Sequence, residues 1–131
     1  MTEGDGMPQR GGILVIDDDP QFLQLIAERL KAGRWEVVTA LDGPSGFQKA
    51  LSGKPDLILL DLVMPGEDGF QVMARLKEDA RTRGIPVVVV TAKGEFQSVL
   101  RAQKLGAVDY MVKPFGSEEL VKLIDRYTQG G

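Results

Sequence analysis

Three carboxylates, a hydroxyl and an ammonium stand at the ends of short apolar runs in this sequence. Asp17 and Asp18 follow Ile13-Leu14-Val15-Ile16, and Asp61 follows Leu57-Ile58-Leu59-Leu60. Thr91 follows Val87 to Val90, and Lys113-Pro114 follows Tyr110-Met111-Val112. Adjacent carboxylates repel, and a hard divalent cation such as Mg²⁺, which prefers oxygen ligands and keeps several waters, is their simplest reconciliation. A carboxylate can also attack phosphorus and form an acyl phosphate. A hydroxyl can donate to a phosphoryl oxygen, and a lysine ammonium pairs with carboxylate or phosphate. The set points to phosphoryl chemistry with a divalent metal, where positioning and charge stabilisation carry most of the catalysis. The charges agree. Asp17, Asp18 and Asp61 bring about three negative charges, and a phosphoryl group on Asp61 replaces one by nearly two. Mg²⁺ with Lys113 supplies three positive charges in return.

Each residue also has a plainer reading. Asp19 is suited to cap a helix that Pro20 begins. That role leaves Asp17 and Asp18 unexplained. Asp56, at the start of its apolar run, reads as a turn starter. Thr91 alone is an ordinary strand residue, and an isolated lysine is usually a solvated surface group. Lys113 rises above that because it ends a strand and precedes Pro114, the mark of a tight turn. The segment after Asp61, Leu62-Val63-Met64-Pro65-Gly66-Glu67-Asp68-Gly69, is stiffened by a proline and two glycines and would hold a carboxylate in fixed geometry.

For these residues to meet, the runs must be strands of one parallel sheet. Short, continuous apolar runs read as strands buried on both faces. Parallel strands end on the same edge, and ligands of open α/β sheets bind beyond those carboxyl ends. The strands are expected at about 13–16, 35–39, 57–60, 86–90 and 108–112. Helical patterns lie between them: Leu23, Ile26 and Leu30 as the spine of a mixed stripe with Phe22 and Arg29; Phe47, Ala50 and Leu51 after Pro44; Phe70, Met73, Ala74 and Leu76 within about 68–78; Phe96, Val99, Leu100 and Leu105 within about 95–105. Leu120, Leu123, Ile124 and Tyr127 give the cleanest helical period. Five βα units with short loops predict an α/β, doubly wound fold with helices on both faces. Residues 1–12 read as a flexible lead-in, 13–128 as one domain, and 129–131 as a frayed end.

Composition narrows the function classes. The chain has 131 residues, enough to bury a core without staples, and no cysteine for disulfides or thiolate metal sites. A net charge of −3 argues against direct nucleic-acid binding. No apolar stretch reaches the length of a membrane span and there is no signal core, so a cytoplasmic location without membrane contact is expected. Histidine is absent from the sequence, so any histidine in the mechanism must come from another molecule.

Taken in order and spacing, these segments resemble a response-regulator receiver domain, the phosphoacceptor of two-component signalling. The resemblance rests on Ile13 to Asp19, Pro55 to Gly69, Val88-Val89-Val90-Thr91-Ala92 and Gly106 to Phe115, and extends from 13 to about 127. It implies a flavodoxin-like fold, (βα)5, with a five-stranded parallel sheet in the order 2-1-3-4-5. It makes Asp61 the acceptor of a phosphoryl group from the phosphohistidine of a sensor histidine kinase or histidine phosphotransfer protein. Asp18 would bind Mg²⁺ directly, Asp17 mainly through water, and Asp61 and the Val63 backbone carbonyl would complete the protein ligands. Thr91 would bond the phosphoryl group, Lys113 would pair with free or phosphorylated Asp61, and the Lys113–Pro114 bond would be cis.

The resemblance also implies a switch. Thr91 moves toward the phosphoryl group and Tyr110 turns inward, altering helix 4, strand 5 and helix 5 near Phe96, Val99, Tyr110 and Phe115. That face is often a symmetric homodimer surface, and the downstream protein target cannot be read from the chain. Such a domain is a signalling phosphoacceptor rather than an enzyme with a substrate. It promotes its own phosphorylation and loses the phosphoryl group slowly, since apolar Val63 cannot orient an attacking water and Lys93 flanks the site. No DNA-binding or enzymatic output segment follows residue 128, so the chain reads as a stand-alone receiver or a piece of a longer protein. Two alternatives stay open. A haloacid-dehalogenase-like phosphohydrolase would use Asp17-x-Asp19 as its nucleophile motif but leaves Asp61 without a role. A phosphorylation-independent interaction module would bind its partner whatever the state of Asp61.

Overall fold

Side chains alternate between the faces of a strand, so an unbroken apolar run needs a hydrophobic layer on each side. The computed structural model, which describes residues 10–128, meets that need. Five parallel strands, β1 (Gly12–Ile16), β2 (Glu36–Ala40), β3 (Leu57–Leu60), β4 (Val87–Thr91) and β5 (Asp109–Val112), form one sheet in the order 2-1-3-4-5. Helices α1 (Pro20–Ala32), α2 (Gly43–Gly53), α3 (Gly69–Glu78), α4 (Phe96–Lys104) and α5 (Ser117–Thr128) cover it. Leu14, Ile16, Ile58, Leu60, Val87 and Val89 pack with Phe47, Ala50, Phe70, Met73, Leu76 and Ala102 from α2, α3 and α4. The intervening Ile13, Val15, Leu57, Leu59, Val88 and Val90 pack with Leu23, Ile26 and Leu30 of α1 and Leu120, Leu123 and Ile124 of α5. The flavodoxin-like expectation holds, strand order included.

Asparates start three of the helices. Asp19 accepts from the Gln21 and Phe22 N–H groups, Asp42 from Ser45 and Asp68 from Phe70, with Pro20 and Pro44 in the first turns of α1 and α2. Each cap is a short polar side chain at the mouth of a βα loop, so the loops at the carboxyl edge stay short and defined.

Four differences from expectation have physical causes. Trp35 precedes β2 instead of opening it, because its N–H donates to the Leu30 carbonyl at the end of α1 and not to the sheet. The segment after Asp61 is a two-stranded antiparallel hairpin, Val63–Met64 against Glu67–Asp68, with Gly66 at φ 73° in its turn. In α4 the buried residues are Ser98 and Ala102, while Phe96, expected in its apolar stripe, is 73 % exposed. The lead-in expected over 1–12 is tied down where it is described. Arg10 donates its N–H to the Arg34 carbonyl, stacks 4.1 Å over the Trp35 ring and pairs with Asp125, and Gly12 already belongs to β1. The rest of that lead-in and the end at 129–131 lie outside the described residues.

Candidate functional site: an acidic pocket at the carboxyl edge

Register brings the candidate residues together. Ile16 pairs with Leu60 across β1 and β3, so Asp17 and Asp61 each stand one residue past that pair. Their N–H groups continue the ladder, to the Ala40 and Ile16 carbonyls respectively. On the other side Leu60 pairs with Val89, which sets Thr91 on the neighbouring strand just beyond the level of Asp61. Thr91 pairs with Val112, and the Lys113 N–H donates to the Thr91 carbonyl at 2.8 Å. Four strands thus deliver two carboxylates, a hydroxyl and an ammonium to one edge.

The side chains interlock there. Asp17 (1 % exposed) accepts from the Asp19 N–H at 3.0 Å with Oδ1 and from Lys113 Nζ at 2.7 Å with Oδ2. Asp61 (6 % exposed) accepts from the Val63 N–H at 3.1 Å with Oδ1 and meets Lys113 Nζ at 3.5 Å with Oδ2. Asp18 is half-buried beside them. Oxygens of Asp17, Asp18 and Asp61 all lie within 4.8 Å of one another. Burial pushes the Asp17 carboxyl above the usual range; the Lys113 bond opposes that push and the neighbouring Asp61 charge adds to it. One ammonium against three close carboxylates leaves the pocket short of positive charge. An all-oxygen donor set of this charge suits a hard divalent cation such as Mg²⁺.

Asp19 is not a member of this cluster. Its Oδ1 accepts both N–H bonds of the first turn of α1, at 3.0 and 3.3 Å, so its observed role is that of a helix cap. Val63 lies in the hairpin opposite Asp68 with its side chain half exposed. The Lys113–Pro114 peptide is cis.

The two candidate switch residues hold the same loop residue. Thr91, fully buried, accepts from the Lys93 N–H at 3.4 Å through Oγ1, and the Tyr110 hydroxyl donates to the Lys93 carbonyl. The Tyr110 ring packs against the core on the α2–α3–α4 side of the sheet. Burial raises its phenol pKa, helped by the Glu95 charge. One residue at the site had no assignment from sequence. Phe22, grouped with the α1 stripe, turns its ring to Lys113, whose Nζ lies 3.9 Å from the ring centroid. Nothing in a helical apolar pattern separates a ring that faces a cation from one that fills a core.

Comparison with known proteins agrees with this arrangement. A family model described as the response regulator receiver domain matches residues 13–125. The DNA-binding dual master transcriptional regulator RpaA of Synechocystis sp. is 44 % identical over 109 residues, which are 83 % of this chain and 45 % of that protein. Protein PilH of Pseudomonas aeruginosa is 37 % identical over 118 residues, 90 % of this chain and 98 % of its own length. The chain thus spans less than half of RpaA and nearly all of PilH. The crystal structure of the Vibrio cholerae chemotaxis protein CheY4 superposes with a TM-score of 0.85 at 26 % identity, covering 92 % of this chain and 99 % of that one. Among the described residues no helix is long and apolar enough to cross a membrane. With the match spanning almost every described residue, the chain belongs to the response regulator receiver domain family, a family of signalling phosphoacceptors.

Proposed function

We propose that Asp61 accepts a phosphoryl group from the phosphohistidine of a sensor histidine kinase or histidine phosphotransfer protein. The observation that carries this reading is the position of Asp61: a buried carboxylate at the centre of the sheet edge, within 4.8 Å of Asp17 and Asp18 and touched by Lys113. An Asp61 oxygen forms the bond to phosphorus while the phosphorus–nitrogen bond of the donor breaks, and the electron pair leaves with the imidazole. Lys113 and the Thr91 hydroxyl bind the phosphoryl oxygens, and the Val63 N–H orients the Asp61 carboxylate. Domains of this family bind Mg²⁺ at an acidic pocket; here Asp17, Asp18, Asp61 and the Val63 carbonyl are the ligands proposed. When bound, Mg²⁺ neutralises charge on the transferred group. The folded unit responsible is residues 13–128.

The output in this reading is the α4–β5–α5 face. Thr91 and Tyr110 bond to opposite sides of Lys93, so a pull on Thr91 by a phosphoryl oxygen reaches the loop that Tyr110 holds. A downstream protein, or a second copy in a homodimer, reads that face. Autodephosphorylation is slow, since the exposed Val63 side chain offers water no hydrogen bond.

Intact-protein mass after incubation with acetyl phosphate tests the reading. A single phosphoryl adduct, dependent on Mg²⁺ and lost in Asp61→Asn, is expected. No adduct on the folded wild type would turn the reading to a phosphorylation-independent interaction module. An adduct that survives Asp61→Asn and disappears in Asp17→Asn would revive the phosphohydrolase.

A further inference from the structure

An ammonium has three N–H donors and no acceptor. Around Lys113 Nζ two directions go to carboxylates, Asp17 Oδ2 at 2.7 Å and Asp61 Oδ2 at 3.5 Å. A third side is covered by the Phe22 ring, 3.9 Å from Nζ to centroid. The face of an aromatic ring carries the negative part of its quadrupole and attracts a cation, most strongly where water is kept away. The ring is itself held in place. Phe22 lies in the first turn of α1 with its N–H on the Asp19 cap, and Phe115 meets it edge-on, at 6.4 Å between centroids and 88° between planes.

We propose that Phe22 is a positioning residue for phosphoryl transfer, its ring face holding the Lys113 ammonium on the Asp17 side of the pocket. The proposal rests on the reading of Asp61 as phosphoryl acceptor. Held there by ring and Asp17 together, the ammonium engages Asp61 only loosely, so the nucleophilic carboxylate is not tied into a tight ion pair. In the transfer an Asp61 oxygen bonds to phosphorus as the bond to the leaving group breaks, and the leaving group keeps the electron pair. With acetyl phosphate that group is acetate. The charge on the phosphoryl oxygens then meets an ammonium already oriented and partly stripped of water, which needs little reorganisation. An aliphatic side chain of similar size keeps the packing and loses the quadrupole. Phe22 is half-buried on the wall of an open groove of about 680 Å³ between α1 and the start of α5, so its replacement opens no core cavity.

The test compares wild type, Phe22→Leu and Phe22→Tyr, each with Lys113 and with Lys113→Met. Rates of phosphoryl uptake from acetyl phosphate with Mg²⁺ are read by intact mass, and the Lys113 ε-methylene protons are read by NMR without phosphate or metal. Phe22→Leu is expected to slow uptake about three- to tenfold, as a cation–π contact of about 0.7–1.4 kcal/mol implies. Phe22→Tyr, which keeps the aromatic face, should remain within about twofold of wild type. Once Lys113 is replaced, Phe22→Leu should make no further difference. The ε-methylene protons should be shifted upfield by the ring in wild type and Phe22→Tyr, and return to ordinary values in Phe22→Leu. An unchanged rate in Phe22→Leu, or the same loss with and without Lys113, overturns the proposal and leaves Phe22 as packing. Unshifted methylene protons in the wild type overturn it too, whatever the rates. A folded wild type that shows the methylene shift but takes up no phosphoryl group sinks the acceptor reading, and the positioning role with it, while the ring–ammonium contact stands.

Discussion

Lys113 is the residue on which the pocket's charge balance turns. It touches Asp17 and Asp61, both carboxylates are buried, and Asp17 is already disfavoured as an anion by its burial. Removing one partner from a buried pair leaves a charge without compensation, at a cost of about 3–5 kcal/mol where burial is complete. Lys113 retains some exposure, so in a chelator Lys113→Met is expected to lose roughly 2–3 kcal/mol of stability in urea unfolding. Asp17→Asn added to it should recover part of that loss. A double variant no more stable than Lys113→Met alone would show that the two charges are not coupled. Asp17, Asp61 and Lys113 were legible because each ends an apolar run, a signal that one chain displays. Phe22 was not, since the direction of a ring is decided by where α1 lies on the sheet.

At the level of elements, Asp61, the proposed acceptor, is held by the approach of α3 to the end of β3. Gly69 opens α3, and its N–H donates to the Leu62 carbonyl at 3.1 Å. A Cβ built on Gly69 would stand 2.6 Å from the Asp61 carbonyl oxygen and closer still to the Leu62 Cα, backbone atoms that no rotamer change can move aside. Gly69→Ala must therefore displace either the helix or the acceptor segment. Overpacking of this kind costs about 1–3 kcal/mol. We expect a lower urea midpoint in Gly69→Ala and slower phosphoryl uptake even where the protein is fully folded; a wild-type rate would mean that the displacement falls on the helix. The elements were read from sequence to within a residue or two, apart from the hairpin and the inner face of α4. Two-residue strands carry no periodic pattern. In α4 the stripe of Phe96 and Leu100 resembles a core face, yet the helix buries the small Ser98 and Ala102 and leaves Phe96 in solvent. The inner face of that helix is therefore made of small residues, and its larger Phe96 and Leu100 face outward.

Across the whole molecule, the concentration of negative charge at one edge opposes folding, so a cation that binds the folded pocket should stabilise the entire chain. At a free concentration one hundred times its dissociation constant, a ligand specific for the native state adds about 2.7 kcal/mol. Mg²⁺ is accordingly expected to raise the melting temperature of the wild type by several degrees and to do far less for Asp17→Asn or Asp18→Asn. Equal shifts in all three would place the cation elsewhere. Fold class was legible at this scale because strand-like and helix-like patterns alternate five times along the chain, whereas the strand order followed from the family resemblance and not from the runs themselves. The anchoring of residues 10–12 was not, because it depends on Arg10 reaching Asp125 from the opposite end of the sequence. That anchoring has an optical consequence. Trp35 is the single tryptophan of the chain, and it is buried between Arg10 and the Thr128 hydroxyl, to which its indole N–H donates at 3.3 Å. It stands where β2 begins, roughly a strand length, about 16 Å, from the edge that carries the acids. Its intrinsic fluorescence therefore watches the closure of the fold from the side remote from the chemistry, so that foldedness and occupancy of the pocket can be followed separately in the unlabelled protein.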